Sequence, residues 1–208
     1  MNVRIVVDST ADTSPEIRDR LTVVPLTVHF GDQEYVDGIT ITHKQFYEKL
    51  VESDVMPTTS QPTPEAFADV FRQAEQADEQ VVVLTVSSKL SGTYQSATIA
   101  AADFSGRVWV VDTQSVAIGS GILAELALRM ADQGMDAPSI AAQLEREREN
   151  IRVIALLDTL EYLKKGGRIS KAVAFAGKGK SPTNKDILTI HHPKRFIRFP
   201  SQSFWDNL

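Results

Sequence analysis

A three-layer α/β domain built on a mostly parallel sheet is what this sequence predicts, and three observations carry that prediction. Between Val3 and Ile169, short β-branched runs alternate with segments of helical spacing, the signature of βα units. The strongest run, Val81-Val82-Val83-Leu84-Thr85-Val86, holds six consecutive strand-compatible residues without alternation, which fits a strand covered on both faces. Small polar loops follow the runs, and open α/β sheets gather their ligands at the carboxyl ends of strands.

Residues 3–7 form an apolar strand interrupted only by Arg4, and Asp8-Ser9-Thr10-Ala11-Asp12 closes it. Ser14-Pro15-Glu16 marks a helix start, because proline in the first turn gives up no needed amide hydrogen. A second strand is expected over residues 23–30, with Pro25 placing a sheet edge or a bend inside it. Thr42-His43-Lys44-Gln45 has capping-box spacing, with Phe46 and Leu50 following one helical turn apart. Thr63-Pro64-Glu65 opens another helix that sets Phe67, Val70, Phe71 and Ala74 on one face. The run at 81–86 belongs at the centre of the sheet. Residues 108–112 and 151–157 repeat the strand form, with helices over 122–131 and 140–149 between them and Gly134 capping the first. Such an order implies right-handed crossovers.

A length of 208 residues allows one large domain or one domain and part of a second. Hydrophobic residues at 42% and charged residues at 24% are ordinary globular values, which excludes a disordered or fibrous chain. No apolar run approaches the roughly 20 residues of a membrane-spanning helix. The apolar start before Asp8 is too short for a signal peptide, so a cytoplasmic location is expected. The absence of cysteine excludes disulfides, thiol nucleophiles and Cys-ligated metals. A net charge of −5 argues against nucleic acid as the main partner. That charge is uneven: residues 177–208 carry six lysines and arginines against Asp186 and Asp206, a balance of +4 that leaves −9 for the rest. With Gly177-Lys178-Gly179-Lys180-Ser181-Pro182 opening it and Pro193 and Pro200 breaking it, this tail is not expected to continue the fold.

Two loops offer anion donors. Met56-Pro57-Thr58-Thr59-Ser60-Gln61-Pro62 sets three hydroxyls and an amide between prolines, and Ser87-Ser88-Lys89-Leu90-Ser91-Gly92-Thr93-Tyr94-Gln95 leads into a helix through Thr93 to Ala101 whose first amides can point at an anion. Either loop alone is explained equally well by caps and turns. Together they favour a small anion site for a carboxylate or phosphate. Three aspartates, Asp8, Asp112 and Asp158, close strands. They fit magnesium-dependent phosphate chemistry, although capping is the commoner use of aspartate at such junctions. There is no Gly-x-Ser-x-Gly elbow, dinucleotide fingerprint or phosphate loop, so no catalytic residue and no metal ligand is assigned. Leu160 to Ile169 reads as a helix ended by Gly166, and Arg168 after the two glycines is placed either to pair with an anion or to face solvent.

In order and spacing, several of these segments together resemble the DegV family of bacterial fatty-acid-binding proteins. They are Asp8-Ser9-Thr10-Ala11-Asp12, Val24-Pro25-Leu26, Thr59-Ser60-Gln61-Pro62, Leu90-Ser91-Gly92-Thr93-Tyr94-Gln95-Ser96-Ala97, Asp112-Thr113 and Leu163-Lys164-Lys165-Gly166-Gly167-Arg168-Ile169. The resemblance covers roughly residues 3–176. It implies a two-domain α/β protein that holds one long-chain fatty acid in an apolar tunnel, with no other cofactor. It also implies a binding subunit, not an enzyme, that presents the acyl chain to a partner fatty acid kinase making acyl phosphate. Carried over by position, Thr59 and Ser91 match the hydroxyls that bind the carboxylate, Ser60, Gly92 and Thr93 flank them, and Arg168 matches the arginine of the Lys-Gly-Gly-Arg segment. On this basis residues 1–157 form the DegV-like domain, 158–176 start an incomplete second α/β domain, and 177–208 are an atypical basic tail, expected to be non-native or poorly ordered. Members of the family continue through a second domain that supplies a histidine near the carboxylate, and His191 and His192 do not match it. From the residues alone, the alternative is a magnesium-dependent phosphohydrolase or phosphotransferase using Asp8, Asp112 and Asp158.

Overall fold

The computed structural model describes residues 2–157, 161–168, 178–180 and 186–190. Four parallel strands make the central sheet: β1 (Val3–Asp8) lies between β2 (Thr22–Val24) and β6 (Gln80–Thr85), and β7 (Val108–Asp112) follows β6. Residues 81–85 are all buried, as expected of an interior strand. Side chains alternate along β6 and so serve two cores. Val81 and Val83 pack with Val6, Val24, Phe67, Phe71, Ala97 and Ala100, beneath α3 (Pro64–Gln76) and α4 (Thr93–Ala101). Val82 and Leu84 pack on the other face with Ile5, Val7, Leu123, Ala127, Ile140 and Leu144, beneath α5 (Ile118–Asp132) and α6 (Ala137–Glu147). The result is the three-layer sandwich that the sequence predicts.

Local chemistry sets the helix starts. Thr63 accepts from the Ala66 amide at the head of α3, and Asp136 accepts from the Ser139 amide at the head of α6. Gly134 follows α5 at a φ of 80°. α5 and α6 begin four and three residues before the apolar spacing suggests, because Ile118-Gly119-Ser120-Gly121 and Ala137-Pro138-Ser139 lack a strong apolar stripe. The Ser14-Pro15 start yields only the four-residue α1 (Pro15–Arg18).

Pro25 divides the strand expected over 23–30. The first part is the edge strand β2, and the second, β3 (Thr27–Phe30), enters a separate antiparallel sheet with β4 (Gln33–Val36) and β5 (Thr58–Ser60), in the order β4-β3-β5. α2 (His43–Glu52), started by the full Thr42/Gln45 capping box, packs Phe46 on Phe30 with ring centroids 5.7 Å apart. This small sheet matters because β5 carries Thr59 and Ser60.

β8 (Val153–Leu157) departs from expectation. It is not a doubly covered strand of the parallel sheet: Ile154 is 58% exposed. β9 (Lys178–Lys180) and β10 (Asp186–Ile190) complete an antiparallel sheet in the order β8-β10-β9, and α7 (Glu161–Lys165) lies between β8 and β9 in the chain. A five-residue apolar run specifies a strand but not its partner. The tail read as discontinuous with the fold thus supplies two short strands, the second from the apolar-containing Ile187-Leu188-Thr189-Ile190. Asp158, Leu160, Ile169, His191 and His192 lie outside the described residues. Among the described residues no helix is long and apolar enough to cross a membrane.

Candidate functional site

The loop after β6 is held as a rigid platform at the carboxyl end of the sheet. Asp8, fully buried at the end of β1, accepts from the Val86 amide at 2.7 Å through one carboxylate oxygen and from the Thr10 amide at 3.0 Å through the other. Asp112, at the end of β7, accepts from the Ser88 amide at 3.1 Å, the Ser88 hydroxyl at 2.6 Å and the Gln114 amide at 3.0 Å. The Ser87 amide donates to Ser115 O at 2.8 Å, and the amides of Leu90 and Ser91 both donate back to Ser87 O. Burial pushes the Asp8 carboxyl above its ordinary value, although the hydrogen bonds from Thr10 and Val86 pull the other way. Both strand-end aspartates therefore brace the loop that carries the hydroxyls. Among the described residues no three His, Asp or Glu side chains converge on a metal position.

On this platform Ser91, Gly92 and Thr93 form the start of α4. Ser91 Oγ lies 2.9 Å from Thr93 Oγ1 and accepts from the Thr93 amide at 3.4 Å. Thr93 is buried and Ser91 half-buried, so Ser91 is the hydroxyl a solute can reach. The positive end of the α4 dipole adds to the attraction for an anion there.

Gln61 brings the second loop against the first. Its carboxamide covers Gly92, occupying the space where a side chain at that position would stand, and its Nε2 donates to Ser96 Oγ at 3.0 Å. Thr59, two residues earlier on β5, is exposed and pairs with Val28. Ser60 pairs with Thr27, and strand alternation turns its side chain to the opposite face, where its hydroxyl sits 2.9 Å from His29 Nε2. Ser91, Gly92 and Thr93 are thus adjacent, β5 is docked on them through Gln61, and the Ser60 hydroxyl is engaged elsewhere. Arg168 follows the α7 turn closed by Gly166 and Gly167, is exposed, and donates to Gly166 O at 2.7 Å. Gln61 and His29 are the neighbours that sequence reasoning did not assign. The first was visible only as one amide in a polar loop, and the second carried no signal. A separate cleft of about 330 Å³ beside the ends of β1 and β2 is lined by Ser9, Arg18, Asp19, Pro25, Asp37 and His43 among others, and by none of these donors.

A model of the DegV family, described as uncharacterised proteins, matches residues 2–179. The chain belongs to the DegV family. A DegV domain-containing protein of Deinococcus radiodurans is 40% identical over 179 residues, which take in 85% of this chain and 64% of that protein. The chain spans a little under two thirds of the length of such DegV relatives. Among solved structures, a fatty-acid-binding DegV family protein from Thermus thermophilus superposes with a TM-score of 0.79 at 38% identity, over 92% of this chain and 69% of that one. A stearic-acid-binding protein from Eubacterium ventriosum gives 0.77 at 29% identity, over 91% and 67%. DegV of Bacillus subtilis, described as a fatty acid binding protein, gives 0.78 at 28% identity, over 95% and 73%. The DegV fold is therefore shared by proteins that carry fatty acids, and in this member the polar loops just described lie at the carboxyl end of its parallel sheet.

Proposed function

We propose that this DegV chain binds a long-chain fatty acid and holds its carboxylate with the hydroxyls of Thr59 and Ser91, flanked by Gly92 and Thr93; Ser60 takes part through its place beside Thr59 in the chain, its hydroxyl being on His29, and Arg168 takes part by releasing Gly166 O. The observation that carries the proposal is the docking of the Thr59 strand on the Ser91 turn through Gln61 over Gly92. It brings two uncharged donor loops to one helix start, an arrangement suited to a single carboxylate. The fatty-acid binding of the DegV family protein from Thermus thermophilus and of the stearic-acid-binding protein from Eubacterium ventriosum supports the same ligand class. In this proposal Asp8 and Asp112 brace the loop and perform no chemistry. The chain acts in the cytoplasm as a carrier and not as an enzyme, and it presents the bound acid to a partner fatty acid kinase. Its division at residues 157 and 176, into the DegV-like domain, the start of a second domain and a basic tail, belongs to the same proposal.

Native mass spectrometry of the purified chain, followed by denaturing extraction and lipid analysis, tests it. A stoichiometric adduct of fatty-acid mass is expected. A chain that stays ligand-free after incubation with excess palmitate would refute it.

A further inference from the structure

We infer that Gln61 is the positioning residue that makes one head-group site out of two loops, an inference that rests on the fatty-acid proposal above. β5 lies in the small antiparallel sheet and the Ser91 turn follows β6 of the parallel one, so no ladder of backbone hydrogen bonds fixes the position of Thr59 relative to Ser91. Gln61 supplies that link. Oε1, Nε2 and Cδ of its carboxamide are the three atoms nearest the space that a side chain on Gly92 would fill. From there Nε2 donates to Ser96 Oγ at 3.0 Å, and the Ser96 amide donates back to Gly92 O at 3.0 Å. Ser96 is 3% exposed whereas Gln61 is exposed, so the amide head reaches from the surface to a buried hydroxyl in the first turn of α4.

The backbone enforces this pose. The buried Pro62 restricts Gln61 to extended conformations, and Thr63 then caps α3. The backbone of Gln61 is thus held in line with β5 and Thr59, and the contact with Ser96 holds its flexible side chain. The residue type also fits. The side chain spans the gap, gives Ser96 a donor, and places no charge beside a bound carboxylate. Methionine would match the length without the donor, and glutamate would add a negative charge at the same point. Gly92 is glycine for the complementary reason: a methyl there would evict the carboxamide, the movable end of a flexible side chain.

Calorimetric titration of the full chain with palmitate below its critical micelle concentration tests the inference, using Gln61→Met, Gln61→Glu, Gly92→Ala and the Met/Ala double variant. Gln61→Met is expected to weaken binding by about fivefold, as loss of a part-buried hydrogen bond and its alignment implies. Gln61→Glu loses more than Gln61→Met and regains part of the difference in added salt, because its charge faces the ligand carboxylate. A purely structural role would not give that response. Gly92→Ala matches Gln61→Met, and the double variant is no weaker than either. Wild-type affinity in Gln61→Met, or additive losses in the double variant, would overturn the inference. If the wild-type chain takes up no palmitate, the fatty-acid proposal fails. The clamp is then judged by a urea-denaturation cycle: coupled effects of Gln61→Met and Gly92→Ala uphold it, and additive effects overturn it.

Discussion

Replacing Ser91 with alanine separates the ligand role of this hydroxyl from its structural role. In the free protein Ser91 Oγ contacts Thr93 Oγ1 at 2.9 Å and the Thr93 amide at 3.4 Å. The second distance is long, so the loss on truncation amounts to about one ordinary hydrogen bond, roughly 0.5–1.5 kcal/mol. For a chain of this size that lowers the melting midpoint by a few degrees, at roughly 2–4 °C per kcal/mol. The bound state loses more, because a hydrogen bond to a charged group contributes about 1.5–3 kcal/mol. Palmitate affinity should therefore fall by about tenfold to a hundredfold. Calorimetric titration and a thermal melt of the same preparation measure the two effects. Thr98→Ala serves as control: its hydroxyl donates to Tyr94 O on the exposed side of the same helix, and its removal should leave affinity unchanged. Unchanged palmitate affinity in Ser91→Ala, beside the expected small drop in midpoint, would refute the assignment of Ser91 as a head-group donor.

Other outcomes follow from the same geometry. Gly121→Ala would ordinarily stabilise a helix by about 1 kcal/mol. Here the new methyl runs into the Asp12 carbonyl, held in place by the Asp12 amide on Ala117 O, and overpacking of about 1–3 kcal/mol should reverse the sign; a raised melting midpoint would contradict this. Phe71→Ala should cost about 3–5 kcal/mol in urea denaturation, since Phe71 is fully buried and packs edge-on against Phe104 with centroids 5.5 Å apart. Asp8 carries a pH signature. Its folded value is raised by burial, so the native state keeps a proton that the unfolded chain has released, and the stability from that proton is lost as pH rises through the folded value. Stability measured from the ordinary aspartate range upward should fall more steeply in the wild type than in Asp8→Asn, and the opposite difference in slope would exclude the buried carboxyl as its source.

Much of the fold was legible in local chemistry. Thr42 with Gln45, Thr63 with Pro64, and the unbroken run at 81–86 each announce an element whose start or depth depends on neighbours in sequence. Pro25 was legible as a bend, but not as the point where the chain leaves one sheet for another. β5 carries no strand signal in sequence, because Thr58-Thr59-Ser60 has no apolar alternation, in keeping with its exposure on the small sheet. The partner of β8 was illegible for a different reason: its apolar run states only that it forms a strand. At the site, the donor loops could be named from their hydroxyls, whereas the contacts that organise them span long separations. Gln61 meets Ser96 across 35 positions and Asp8 meets Val86 across 78, and no periodicity encodes either pair.

The division of the donors between the small sheet and the turn after β6 gives ligand binding a mechanical consequence. The chain leaves the parallel sheet at Pro25, builds β3, β4, α2 and β5, and returns through Pro62, so this excursion and the α4 platform are joined by side-chain docking and not by a shared strand. A molecule that touches both Thr59 and Ser91 acts as a staple across that seam. By linkage, its binding free energy is added to the docking of the excursion whenever the undocked form cannot bind it. Saturation should then slow amide exchange in residues 27–36, far along the chain from Ser91, making the small sheet a built-in gauge of occupancy.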